Sequence, residues 1–173
     1  MGTKSRSDIS NSAIRMLLQS AGAFYDEARG YKRFSTNGTE WKEVIKLFSN
    51  ACCYCGVKLT PDNMTDDHLV PINKKSLGLH AWGNIVPCCR HCNKEKHFGE
   101  WRVFLKSKSS RELYKKRAGL ILRYQKKYGY NPNIELKDIA NNLYEDVGQV
   151  SSTLINLRLK QAEAVIHSML TER

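Results

Sequence analysis

No stretch of the 173-residue chain is apolar for long enough to cross a bilayer, which argues against a helical membrane span. The opening residues, MGTKSRSDIS, lack the apolar core of a secretory signal, so the sequence predicts a cytoplasmic protein. Internal repeats and low-complexity tracts are missing too. That leaves one compact domain with appendages, on a chain 41% hydrophobic and so able to bury a modest core. Acids are scarce: 17 Asp and Glu stand against 28 Lys and Arg, a formal charge of +11. Such an imbalance points to a polyanionic partner, nucleic acid before others, and says nothing about chemistry.

What is present is concentrated between Cys52 and Lys96. Two Cys-x-x-Cys pairs, Cys52/Cys55 and Cys89/Cys92, begin 37 residues apart. Without an export signal, six cysteines favour thiolate–metal bonds over disulfides. Zn²⁺ takes a tetrahedral shell of soft thiolates, and a tight Cys-x-x-Cys turn brings both sulfurs to one ion. Gly56, after Cys55, supplies the backbone freedom such knuckles use. Cys53 and Cys88 break the spacing and read as small buried side chains, with a register swap left open. His91 sits inside the second knuckle and reads as exposed.

Between the knuckles lies Asp67-His68, 12 residues after Cys55 and 21 before Cys89 on the histidine side. The run Thr65 to Ile72 reads as a strand end. Successive strand side chains point to opposite faces, so Asp67 and His68 converge only if the strand twists or bulges. Gly83 to Pro87 suggests a second short strand that Asn84 opens. From Arg90 the pattern is helical, with Asn93 and His97 one turn apart.

Tyr54-Cys55-Gly56, Asp67-His68-Leu69-Val70-Pro71 and Asn84-Ile85-Val86-Pro87-Cys88-Cys89-x-x-Cys92-Asn93-x-x-Lys96 together resemble the HNH nuclease family, in its subset with a zinc-braced ββα-metal fold. The resemblance covers about 45 residues, around a quarter of the chain. It implies that Asp67 and Asn93 hold a catalytic divalent ion, Mg²⁺ or Mn²⁺. It also implies that His68 is the general base and that Asn84 holds the loop orienting it. An asparagine at 93, where the family name has histidine, suits a hard cation. His97 is a possible third ligand or a surface histidine. Asn93 is equally readable as a helix cap, and Lys96 as a phosphate contact or a solvated lysine. His80 and His167 have no evident partner.

The flanks read as helices: Ser10 to Ala28, Glu40 to Phe48 with Thr39 as cap, Leu136 to Tyr144, and Val150 to Leu170. From Trp101 to Tyr130 there are ten bases and one acid, Glu112, in a helical pattern. Lys115, Lys116, Arg117, Arg123, Lys126 and Lys127 project away from its apolar side as candidate phosphate contacts. The expected fold is α+β, mainly helical: a helical region over 1–50, a ββα-metal nuclease core over 51–105, and a helical region over 106–173. Within the C-terminal region, Leu136 to Leu159 reads first as plain helical packing and second as a DNA-reading or dimerising element.

Two classes of function compete. One is a metal-dependent endonuclease acting on double-stranded DNA, restriction-type or defensive, with a mobile-element nuclease behind it. One such site cuts one strand, so a double-strand break needs two copies and predicts a homodimer. The other is a zinc-stapled DNA-binding protein without chemistry. Asp67, His68 and Asn93 separate the two, because binding alone does not require that set.

Overall fold

The computed structural model describes residues 6–131 and 135–171. Six helices and one two-stranded antiparallel sheet make it a mainly helical α+β fold. In chain order the elements are α1 (Arg6–Ala28), α2 (Thr39–Leu47), β1 (Met64–His68), β2 (Ile85–Cys89), α3 (Arg90–Lys96), α4 (Trp101–Ser107), α5 (Arg111–Lys127) and α6 (Lys137–Thr171). The chain divides into two compact units, Leu18–Ile134 and Met1–Leu17 with Glu135–Arg173. Among the described residues no helix is long and apolar enough to cross a membrane.

The larger unit is built around the sheet. β1 and β2 pair without a bulge, from Met64 opposite Cys89 to His68 opposite Ile85. All five residues of β2 are buried, so it is the central rail of the core and β1 its half-exposed partner. Trp41, Val44 and Phe48 from α2, Trp101 and Leu105 from α4, and Ile121 and Tyr124 from α5 join it in one cluster. Polar anchors fix the register. Tyr124 Oη donates to the Ile85 carbonyl at 2.7 Å and accepts from Gly83 N–H at 3.1 Å. Gly78 has no room for a side chain, since a Cβ there would collide with the Val70 carbonyl.

Asp26, fully buried, ties α1 to this core. Its carboxylate accepts from Trp82 N–H at 3.1 Å and Phe34 N–H at 3.2 Å and pairs with Arg29 at 2.6 Å. Burial pushes its pKa up to about 6, against the pull of the Trp82 N–H and Arg29. A folded pKa above the unfolded value means that the native state binds the proton more tightly. Asp26's contribution to stability is therefore fully present below about pH 4 and is lost as pH rises through 6, worth about 2–3 kcal/mol. Urea unfolding of zinc-loaded wild type and Asp26→Asn from pH 4 to 7 should show a slope in the wild type steeper by that amount, the remainder in both coming from groups such as Asp67.

Three helical expectations change. Gly38, not Thr39, is the N-cap of α2, and it makes no side-chain cap bond; Thr39 is the first helical residue and its hydroxyl turns to Glu40. The basic stretch is two helices, because Ser110 restarts the chain by accepting from Leu113 N–H. The two C-terminal runs are one continuous helix, α6, passing straight through Gly148. A single glycine costs a helix only about 1 kcal/mol, too little to break one this long.

In the smaller unit the Ser10 hydroxyl donates to the Tyr144 carbonyl at 2.9 Å, and Ile14, Ala140 and Gly148 are buried.

Candidate active site and metal centre

The first knuckle has little secondary structure of its own, only an isolated bridge between Ala51 and Lys58. The second straddles the junction of β2 and α3: Cys89 ends the strand and caps the helix, its sulfur accepting from Cys92 N–H at 3.4 Å. Cys53 N–H donates to the Pro87 carbonyl at 3.1 Å, which lays the first knuckle along β2. Gly56 adopts φ +77°, the left-handed turn that carries the chain past Cys55. Arg117 clamps the knuckle from α5, donating to the carbonyls of Tyr54 at 2.6 Å and Cys55 at 2.7 Å.

These contacts gather the sulfurs of Cys52, Cys55, Cys89 and Cys92 within 4.8 Å of one another. Cys55 and Cys89 lie 3.8 Å apart, about the edge of a tetrahedron with Zn–S bonds near 2.3 Å. Four thiol ligands at that spacing fit a structural Zn²⁺. Cys53 and Cys88 are buried outside the set. Burial pushes the Cys53 thiol up, and Cys88 is raised first by its contact with Cys52, 3.9 Å away. Both shifts favour the thiol; Cys88 Sγ donates to the Cys89 carbonyl at 3.2 Å, while Cys53 and Cys88 hold the Cys52 thiol low.

Regular pairing along β1 sends Asp67 and His68 to opposite faces. Asp67 is buried, takes the Tyr54 hydroxyl at 2.6 Å, and pairs with the Lys96 ammonium at 3.0 Å. Lys96 also donates to the His68 carbonyl at 2.8 Å. Burial pushes the Asp67 acid up, and Lys96 is the strongest influence pulling it back. Lys96 is 3% exposed, so its expected role as a phosphate contact is corrected: its charge is committed to Asp67 inside the fold. Two carboxylate oxygens and a carbonyl oxygen thus converge on one cationic centre. Such a cradle fits a hard cation.

On the other face, His68 Nε2 lies 3.0 Å from Nδ1 of His80. The His80 backbone N–H donates to the Leu18 carbonyl at 3.3 Å, and its ring meets the edge of Phe34 at 5.0 Å. Burial pushes its pKa down, which favours the neutral imidazole. Sequence reasoning assigned His80 no partner. The one signal was its setting, a histidine between Leu79 and Ala81, both fully buried.

Asn84 secures the turn that follows His68. Its side-chain carbonyl accepts from Val70 N–H at 2.8 Å, and its amide donates to the carbonyls of Val70 at 3.0 Å and Leu79 at 2.8 Å. Its own backbone carbonyl takes Leu69 N–H at 2.8 Å. Asn84→Ala orphans three backbone groups, the buried Leu79 carbonyl and the half-buried Val70 N–H and carbonyl. Zinc-loaded protein carrying it should lose at least about 3 kcal/mol in denaturant unfolding, against under about 1 kcal/mol if the side chain were idle.

Asn93 is half-buried on α3. His97 is no longer on that helix: it is the C-cap, at φ 49°, exposed, its ring packed on Phe98. On α5, Lys115, Lys116, Arg123, Lys126 and Lys127 are exposed. Arg117 is the exception, since its guanidinium braces the knuckle. A cleft of about 410 Å³, with Leu69, Val70, Pro71 and Phe98 in its wall and Lys75, Glu100 and Arg102 as its charged residues, adjoins the turn after His68.

A two-stranded sheet running into a helix, stapled by four cysteines and carrying Asp-His on its outer strand, has the make-up of a ββα-metal nuclease. Residues 52–99, less than a third of the chain, match the family model described as HNH endonuclease. Its class implies nuclease chemistry on nucleic acid with a divalent metal. Comparison with curated proteins gives no match for the chain.

Proposed function

We propose that the chain is a metal-dependent DNA endonuclease of restriction or host-defence type, with residues 51–105 as its nuclease core. The observation that carries this reading lies inside the HNH-matching segment: His68 is held between the Asn84-clamped turn and the His80 ring. A zinc-stapled binding module would need neither.

His68 is the general base. With His80 neutral and protonated on Nε2, His68 Nε2–H donates to His80 Nδ1, which makes Nδ1 of His68 the basic atom. An imidazole there takes the proton of an attacking water near pH 7. His80 fixes the tautomer and the ring direction, as an acceptor does for the base of other hydrolytic sites. Asn84 sets where that ring stands by fixing Leu69 and Val70. Asp67 and Asn93 would hold one Mg²⁺ or Mn²⁺, for which Lys96 now balances the Asp67 charge. When bound, that ion stabilises the negative charge that builds on the phosphate and its leaving oxygen. Lys75 and Arg102 border the cleft beside His68, where a phosphate backbone would lie. The exposed bases of α5 add salt-dependent affinity for duplex DNA that is blind to sequence.

The test is supercoiled plasmid incubated with zinc-loaded protein, with Mg²⁺ or Mn²⁺ present or withheld, beside His68→Ala. Divalent-dependent nicking that the substitution removes supports the reading. Undiminished cleavage by His68→Ala would sink the role of that residue. Binding without cleavage under every metal would leave the zinc-stapled DNA-binding protein in its place.

A further inference from the structure

The longest helix among the described residues carries most of its large apolar residues on the outside. In α6 every described side chain from Thr153 to His167 is exposed, among them Leu154 at 53%, Leu157 at 50% and Leu159 at 60%. Leu143, Val147, Val150, Leu154 and Leu157 recur at alternating spacings of four and three, and Gln161 and Ala164 continue the series. That is the seam of a helix that pairs with another helix. Ile155, Leu159 and Ile166 lie on the far side of the helix, roughly 120–160° round from the seam, and take no part in it. A helix this apolar is not stable facing water along half its length.

The charges on α6 decide what covers the seam. The helix is not basic, unlike α5: Asp138, Glu145 and Asp146 lie in its first third, and Arg158 and Lys160 in its second half. Its polar face carries Gln149, Asn156 and Glu163 rather than the Lys and Arg of a membrane-surface helix or a DNA-contacting one. Asp146 and Lys160 occupy the same flanking position of the repeat, 14 residues apart. When two copies of α6 run antiparallel about a point near Ser152, Val147 meets Leu157 of the other copy and Leu154 meets its Val150. In that register each Asp146 stands opposite the other copy's Lys160. A parallel pair gains no such match.

We propose that α6 is a self-association helix and that two copies of this chain pair antiparallel through the seam from Leu143 to Ala164. The inference rests on α6 alone and stands apart from the nuclease reading, except that a pair would carry two HNH segments.

Sedimentation velocity or light scattering of the full zinc-loaded chain across roughly 1–100 µM tests it without any activity. A dimer is expected, and Leu154→Glu with Leu157→Glu should convert it to a monomer with unchanged zinc content. Asp146→Lys alone and Lys160→Asp alone should each weaken the dimer at least about tenfold, and the double exchange should restore it. A wild-type chain that stays monomeric throughout, or a dimer indifferent to the leucine substitutions, overturns the proposal. A double exchange that fails to rescue overturns the antiparallel pairing.

Discussion

Removing zinc from the four-cysteine cluster is expected to dismantle the larger unit rather than merely loosen it. Apparent binding free energies of structural Zn²⁺ in small zinc modules run to about 10–16 kcal/mol, and a domain's whole stability is about 5–15 kcal/mol. Here the staple carries much of the local burden. The first knuckle is held by one bridge, the Cys53–Pro87 backbone bond and the Arg117 clamp, with no helix or strand of its own. Cys89 is at once a ligand, the end of β2 and the cap of α3. Loss of the ion therefore frees the strand end, the helix start and the contact of Cys53 with Pro87 together. Elemental analysis should return one zinc per chain. A strong chelator, or Cys92→Ser, should abolish the cooperative transition seen by tryptophan fluorescence, because Trp82 and Trp101 lie in the same core. A cooperative transition surviving in demonstrably zinc-free protein would show that the cluster is not structural.

The second large effect is on cleavage. General-base catalysis by a positioned imidazole contributes about 10²–10⁴-fold, so His68→Ala should lower the cleavage rate by that factor. Its zinc content, its unfolding midpoint and its affinity for DNA should remain close to wild type, since His68 is only half-buried. Loss of folding together with loss of activity would make the result a statement about the turn after His68, not about the base. Cleavage within about threefold of wild type would mean that another group takes the proton.

The zinc set was legible because Cys-x-x-Cys spacing is a local code: the turn and its ligands share four residues. The strand pair and the helix after it were legible for the same reason, through periodicity around Val86 and Asn93. The contacts that give the site its electrostatics were not. Lys96 reads as a surface lysine on a short helix, and only packing against β1 reveals that it neutralises Asp67. Arg117 reads as one more base in a basic stretch, yet its helix places it over two knuckle carbonyls. His80 meets His68 across a loop with no regular period to betray it. The continuity of α6 was hidden by Gly148, since turn chemistry is visible in sequence and the burial that overrides it is not.

The cradle of oxygens around Lys96 has one more implication. A lone carboxylate sealed in a protein interior would repel its own burial until a counter-charge arrived from solution. Here the counter-charge is covalently part of the chain, three residues past Asn93. The sheet can therefore close before any catalytic divalent ion is encountered; on the proposed reading, scarcity of that ion would silence the molecule without denaturing it. Scarcity of zinc would do both.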